Sequence, residues 1–209
     1  MKIFDVVQYI LIEESKNNRT ISNLRLQKYL YFCQFISLGV YGIELFDDEF
    51  EAWEYGPCIP RIYTRFKAYG STGIIVLGDG NSKYVPDALG YKYDFEYPNE
   101  HDRFVINKAI RFCDKFTDNE LTDICRNHKC WDLAVHGAYI KSRIMSNGNL
   151  VYIIPVSAIE NEVKSLDEIG LLWYNIKEEQ NEPKVKCKKR KIKRRAHATR
   201  FMDKLRRIQ

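Results

Sequence analysis

Cysteine and histidine side chains in the middle of the chain are of the types that bind zinc. The sequence places Cys125-x-x-His128-x-Cys130 together, with Cys113 upstream, and thiolate and imidazole groups are the usual zinc ligands. The pattern lacks a Cys-x-x-Cys knuckle, and Cys113 and Cys125 fall on two separate predicted helices. The spacing therefore favours buried core thiols and a hydrogen-bonded histidine over a metal site.

The remaining candidates for chemistry are weaker. No local signature of a cysteine nucleophile surrounds any of the six cysteines. The Gly-Asp-Gly-Asn run at 78–81 has no Lys-Ser/Thr after it and no strand-to-helix context for binding phosphate. Glu49, Glu51 and Glu54 flank Trp53 and are of a type that binds cations, although such residues more often form a solvated strand face. We therefore predict no catalytic residues, no cofactor and no enzyme activity.

Charge divides the chain into an acidic body and a basic tail. Residues 184–209 hold 13 Lys and Arg and one Asp, which leaves 20 Lys and Arg against 27 Asp and Glu in the rest. Such a tail can neutralise nucleic-acid phosphates or another polyanion, including an acidic protein surface. The alternative is a solvated tail or one that docks on the acidic body. The residues of a polyanion contact would be Lys186, Lys188, Lys189, Arg190, Lys191, Lys193, Arg194 and Arg195.

Periodicity predicts the elements that must position these residues. Ser22 is a good N-cap for a helix that runs to Leu38 and ends at Gly39, and its apolar residues lie on nearly all sides. We therefore place this helix at the centre of the domain. The other predicted elements are helices at 4–16, 59–69 and 99–116, and capping boxes at Thr117–Glu120 and Ser157–Glu160. Residues 48–55 predict a short strand or an extended arm, and short strands are predicted at 74–77, 83–85 and 151–156.

These elements predict an α+β fold that is mostly α: a compact helical domain around a buried central helix, with a few short strands and a basic C-terminal tail. With 45% hydrophobic residues the chain can form a real core. Its apolar runs are too short to cross a bilayer, and its first residues lack the pattern of a secretory signal. We expect a cytoplasmic protein with reduced cysteines and no membrane contact.

Two motifs give the chain a family resemblance. The run Leu26-Gln-Lys-Tyr-Leu-Tyr31 is followed by Glu51-Ala-Trp-Glu-Tyr-Gly-Pro57 and then by Pro60-Arg-Ile-Tyr63. In order and spacing they resemble the Panacea domain, the SocA-like or phage-associated GepA-like antitoxin domain. Cys58 stands where that family usually has an aliphatic residue. The matching residues are Leu26, Lys28, Leu30, Tyr31, Glu51, Ala52, Trp53, Gly56, Pro57, Pro60, Tyr63, His128 and Trp131.

The resemblance implies a domain over residues 1–170, while composition and charge predict a linker at 171–183 and a basic tail at 184–209 whose end can form a helix. It implies an antitoxin, often borne on a prophage or mobile element, that neutralises a cognate toxin protein by direct binding or by delivery to a protease. The alternative is a regulator of a phage or mobile element that binds nucleic acid through the tail.

The motif residues also have structural interpretations. Trp53 would anchor a Gly56-Pro57 turn, with Tyr63 packed beside it. Lys28, on a largely apolar helix, would either extend its amine to solvent or pair with Glu51 or Glu54. Motif residues that hold the fold would leave toxin contact to other parts of the chain.

Overall fold

The computed structural model describes residues 1–75, 95–139, 141–145 and 147–167, together with residues 170, 171 and 174. Contacts between Cα atoms divide the chain into a unit of Met1–Ser165 and a unit of Leu166–Gln209. All the helices and strands given below lie in the first unit. Within the described residues, no helix is both long enough and apolar enough to span a membrane.

The first unit is α+β and mostly α, as the sequence predicts. Its α-helices are α1 (Ile3–Lys16), α2 (Asn23–Tyr41), α3 (Pro60–Phe66), α4 (Glu100–Cys113), α5 (Asp118–Arg126), α6 (Lys129–Val135) and α7 (Val156–Lys164), and a short 3₁₀ turn follows α3 at Lys67–Tyr69. Its strands are β1 (Phe50–Trp53), β2 (Gly56–Cys58), β3 (Ser142–Ile144) and β4 (Leu150–Ile154). They form one antiparallel sheet in the order β2-β1-β4-β3.

Helix α2 is the central helix, as its all-round apolar pattern predicts. Every residue from Leu26 to Leu38 is buried. The Ser22 hydroxyl accepts a hydrogen bond from the Arg25 amide at 3.0 Å, which confirms the predicted N-cap. Helices α1, α3, α4, α5 and α7 and strand β2 all pack against α2. The core of the unit therefore surrounds this helix.

The predicted end of α2 at Gly39 is wrong. The helix continues through Gly39 to Tyr41, and Gly42 follows in the left-handed conformation at φ +68°. The Gly42 amide donates to the Leu38 carbonyl and so closes the last turn. Both glycines suit a helix end, and the sequence alone does not show which of them has the positive φ.

Of the two capping boxes predicted in the second half of the unit, one is present and the other is absent. Thr117 and Glu120 form the predicted capping box at the start of α5. The box predicted at Ser157–Glu160 is absent, because α7 begins at Val156 and Pro155 occupies the N-cap position. The strand predicted at 151–156 is present as β4. Residues 76–94, which include most of the predicted strands at 74–77 and 83–85, lie outside the described residues.

Candidate functional site

Polar side chains on the buried helix α2 bind the backbone of the segment that follows β1. Asn23 donates to the Tyr63 carbonyl at 2.9 Å. Gln27 accepts from the Ile59 amide at 2.9 Å, and the Lys28 amine donates to the Tyr55 carbonyl. Because buried polar groups are retained only where they are hydrogen-bonded, these side chains fix the position of the chain between β1 and α3.

Lys28 is the charged residue at the centre of this arrangement. Its side chain is 1% exposed, and burial is the main cause of a lowered pKa for its amine. The thiols of Cys58 and Cys125 contribute to its electrostatic environment, and burial raises the pKa of each of them to about 12. Both expectations for Lys28 are therefore wrong: its amine neither reaches solvent nor pairs with Glu51 or Glu54, and its hydrogen bond goes to a backbone carbonyl.

Gly56 allows this close approach. A Cβ atom at Gly56 would lie 2.6 Å from Nζ of Lys28 and 3.3 Å from Cβ of Cys125. Its φ of +92° also lies in the region that side chains disfavour. Contrary to the predicted Gly56-Pro57 turn, the turn is formed by Glu54 and Tyr55, while Gly56 pairs with Trp53 in the ladder between β1 and β2. Only glycine fits this position without strain.

A second set of hydrogen bonds joins strand β1 of this hairpin to the edge strand β3. The Trp53 indole N–H donates to Oε2 of Glu51 at 2.7 Å. The Arg143 guanidinium on β3 binds the same carboxylate through two hydrogen bonds of 2.6 and 2.9 Å. On the other side, the Trp131 indole N–H donates to the Trp53 carbonyl at 3.1 Å. The hairpin is thus held from α2, α6 and β3.

Aromatic side chains of this hairpin and of the following helix α3 remain at least partly at the surface. Trp53 packs edge-to-face on Tyr63 with ring centroids 4.9 Å apart, which is the predicted neighbour relation. Trp53 is half-buried, Tyr63 is 39% exposed and Tyr55 is 62% exposed. We call these residues, Trp53, Tyr55 and Tyr63, the aromatic face. It combines a fixed backbone with accessible rings.

Two residues of the possible zinc motif, His128 and Cys130, lie instead in a buried hydrogen-bond network with Tyr31, and Cys113 and Cys125 are buried free thiols. The Tyr31 hydroxyl lies 2.6 Å from Nδ1 of His128 and 3.3 Å from Sγ of Cys130. Burial lowers the pKa of His128 to about 3 and raises that of the Cys130 thiol to about 12, so both are neutral at pH 7. Within the described residues, no three or more His, Cys, Asp and Glu side chains are grouped to hold a metal ion.

The other motif residues have positions that serve the fold. Leu26 and Leu30 are fully buried, and Pro60 is the first residue of α3. Pro57 lies in β2, an edge strand, where a missing amide hydrogen is tolerated. Ala52 faces it across the ladder in β1. The tail residues Lys186, Lys188, Lys189, Arg190, Lys191, Lys193, Arg194 and Arg195 lie outside the described residues.

Sequence reasoning missed Asn23, Gln27 and Arg143. The first two carried a usable signal, since two polar residues on a helix that is apolar on all sides need buried partners. Arg143 carried none, because its partner Glu51 is 92 residues away in the chain.

A fixed backbone that carries a half-buried Trp ring and exposed Tyr rings is typical of a protein-binding module, since these residue types are enriched among the residues that contribute most binding energy at interfaces. The family model of the SocA-like antitoxin, Panacea domain, matches residues 26–132, about half of the chain. This chain belongs to that family.

One curated relative is similar over a short stretch. Antitoxin SocA of Caulobacter vibrioides (strain NA1000 / CB15N) is 47% identical over 55 residues, which are 26% of this chain and 29% of that protein. The alignment therefore spans less than a third of the relative's length. No solved structure matches the chain significantly.

Proposed function

We propose that this protein is an antitoxin that neutralises a cognate toxin by binding it directly, and that the aromatic face contacts the toxin. Membership of the SocA-like antitoxin family supports the antitoxin role. The observation that carries the contact is the exposure of Tyr55 at 62% on a turn whose carbonyl is held by the buried amine of Lys28. A side chain that only stabilised the fold would be expected to lie inside it.

Preorganisation is the physical advantage of this arrangement. Binding normally loses the conformational entropy of the segments that become ordered in the complex. Here α2, α6 and β3 already fix the backbone on which the rings stand. Tyr and Trp add a large contact area with few rotatable bonds. Little of the contact energy of the aromatic face is therefore lost to ordering the backbone, and most of it contributes to affinity.

Co-expression with the toxin tests this proposal. We expect a gene for a growth-inhibiting protein beside this one, on a prophage or another mobile element. Wild-type protein should restore growth to cells that express that toxin. The double variant Tyr55→Ala/Tyr63→Ala should lose rescue while keeping the wild-type circular dichroism spectrum.

Tyr41→Ala is the matched control. Tyr41 is 40% exposed at the end of α2 and stacks on His101 rather than on the hairpin. It should rescue growth like the wild type. Equal rescue by the double variant would exclude the aromatic face as the contact, and failure of the wild type would exclude the antitoxin role.

Direct binding is distinguished from delivery to a protease by the amount of toxin. Under direct binding, the purified proteins form a stable complex and the cellular toxin level on an immunoblot stays constant during rescue. A fall in toxin level that depends on a protease would instead indicate delivery.

A further inference from the structure

The two edges of the sheet are of opposite character. Strand β2 forms one edge, and all of its residues are buried beside α2 and α5. Strand β3 forms the other edge, and all of its residues are exposed, with Ile144 70% exposed. An exposed edge strand presents unpaired amide and carbonyl groups, which can bind another strand.

Hydrogen bonding to β4 shows which groups of β3 point outward. The Ile153 amide donates to the Lys141 carbonyl at 3.0 Å, and the Met145 amide donates to the Asn149 carbonyl at 2.8 Å. In an antiparallel ladder alternate residues face the partner strand. The backbone groups of Ser142 and Ile144 therefore point away from β4, and in the described part of the chain no other strand pairs with them.

Charges that would ordinarily protect such an edge are directed back over the sheet. The Lys141 amine binds the Glu49 carboxylate at 2.5 and 2.7 Å, and Arg143 binds Glu51 on β1. Natural edge strands often use lysine and arginine to repel a further strand. Here Lys141 pairs with the exposed Glu49, which precedes β1, and Arg143 pairs with the buried Glu51 of β1, so both cations are held toward β1 and away from the open edge.

The open edge lies at the same end of the sheet as the aromatic face. Strands β1 and β4 pair at Glu51 and Ile153, and two further steps of that register place Trp53 beside Val151. Val151 is the residue that pairs with Arg143. Trp53 and Arg143 are therefore two strand spacings apart, about 10 Å, and both bind the Glu51 carboxylate. A single partner can cover both regions.

We propose that β3 accepts an extended segment of the toxin as a fifth strand, by hydrogen bonds to the outward backbone groups of Ser142 and Ile144. This inference rests on the proposed function and adds a second contact to it. The segment would carry an acidic or neutral residue opposite Arg143. It would place apolar residues on the opposite face, where Ile144 and its cross-strand neighbour Leu150 are exposed.

A second copy of this chain is a poorer occupant of the edge. Antiparallel pairing of two β3 strands through Ser142 and Ile144 would place the two Arg143 residues opposite each other at the dyad, where each is already bound to its own Glu51 and the two can form no favourable cross-strand pair. Three residues at an edge also bury far less than the roughly 800 Å² per partner of a stable interface. A toxin strand places no second Arg143 opposite the first. Its contact with the aromatic face adds the buried area that the edge alone lacks.

The variant Ile144→Pro tests the edge. It removes an amide hydrogen that points outward and leaves the ladder between β3 and β4 intact, a position where proline is tolerated. Ile144→Thr is the matched control, because it shortens the same side chain and keeps the amide hydrogen. We expect Ile144→Pro to weaken toxin binding about tenfold more than Ile144→Thr does. Equal affinities of two folded variants would overturn the proposal.

Hydrogen exchange tests the edge without a variant that risks misfolding. In the complex of wild-type protein and toxin, the amides of Ser142 and Ile144 should exchange at least tenfold more slowly than in the free protein. The amide of Arg143, which faces β4, should change little. Unchanged exchange at Ser142 and Ile144 in the complex would overturn the proposal whatever the variants do.

Binding of a short peptide tests the β3 edge independently of the proposed antitoxin function. If the toxin does not bind the wild type at all, the antitoxin role fails, and the edge is then tested with the capped peptide acetyl-Thr-Val-Asp-Val-Thr-amide. At millimolar peptide, amide NMR shifts should concentrate at residues 141–145 and 150–152. Shifts spread evenly over the protein, or no shifts, would reject the edge as a strand-binding site.

Discussion

The two hairpins of the sheet are built in opposite ways. The β1–β2 hairpin has a buried second strand, and its turn is fixed by the buried amine of Lys28. The β3–β4 hairpin has an exposed first strand, and its turn at residues 147–149 is also exposed. In the first, burial holds the backbone in one position and leaves the ring of Tyr55 outside, next to α3 with its exposed Tyr63. In the second, the backbone itself is accessible.

This difference separates two ways of binding a protein. A fixed hairpin offers side chains in one arrangement, which favours a partner with a complementary surface. An open edge offers backbone groups, which are the same in every protein and accept many sequences as long as the segment is extended. A protein with both regions at one end of a sheet can combine specific contact with tolerance of different partners.

The largest expected effect on the free energy of unfolding is at a glycine of the first hairpin, with a glycine of the second hairpin for comparison. Gly56→Ala should lower the free energy of unfolding by about 3 kcal/mol, from the strain of a positive φ and from overpacking against Lys28. Gly148→Ala should lower it by about 1 kcal/mol, because Gly148 has a φ of +84° but no atoms within 4 Å of the added Cβ. Urea denaturation followed by circular dichroism measures both, and equal values would contradict the close packing at Gly56.

Acid should lower the free energy of unfolding through the buried His128. The pKa of His128 is lowered to about 3 in the folded state, so below about pH 6.5 the unfolded chain binds a proton that the folded chain does not. Stability from this group is fully present above pH 6.5 and is lost as pH falls toward 3. At about pH 5 the loss should be roughly 2 kcal/mol.

Substitution of single histidines checks this prediction. His128→Asn keeps an acceptor for the Tyr31 hydroxyl and should flatten the pH dependence of the unfolding free energy between pH 7 and pH 5. His136→Asn, at a residue with a 73% exposed side chain, should leave the slope as it is in the wild type. A steep slope that survives in His128→Asn would assign the acid sensitivity to other groups.

A smaller effect concerns the ion pairs that link the two hairpins. Arg143→Gln should lower stability by about 1 kcal/mol, because it removes the cation from the buried Glu51 carboxylate. The side chain of Arg143 is itself 47% exposed, which limits the loss through solvent screening. Lys141→Gln, whose partner Glu49 is also largely exposed, should change stability by less than about 0.5 kcal/mol. Similar losses in both variants would show that burial of Glu51 is unimportant.

The smallest expected effect concerns the basic tail. The protein truncated after Pro183 should rescue growth from the toxin as well as the full chain does, because both proposed contacts lie within residues 51–150. Any salt-dependent binding of nucleic acid, measured by fluorescence anisotropy, should be lost on truncation. Loss of rescue on truncation would instead place an essential toxin contact in the tail.

Local sequence signals predict much of the fold. Ser22 as an N-cap, the capping box of Thr117 and Glu120, and Pro60 at the start of α3 are all present in the structure. These signals concern residues within one helical turn of each other, so their free energies depend little on the rest of the chain. The failure at Gly39 arises because Gly42, three residues later, suits the same role. At Ser157 the helix already begins at Val156, so the predicted cap residue lies inside the first turn.

Periodicity and motif spacing are properties of short stretches, and they predict the central helix, the mostly α class and the family. The hydrogen-bond partner of Lys28, the position of the hairpin turn and the binding of Arg143 to Glu51 depend instead on tertiary contacts. Those contacts join residues up to 92 positions apart. Their formation depends on the burial and geometry of the whole core, to which no local pattern is sensitive.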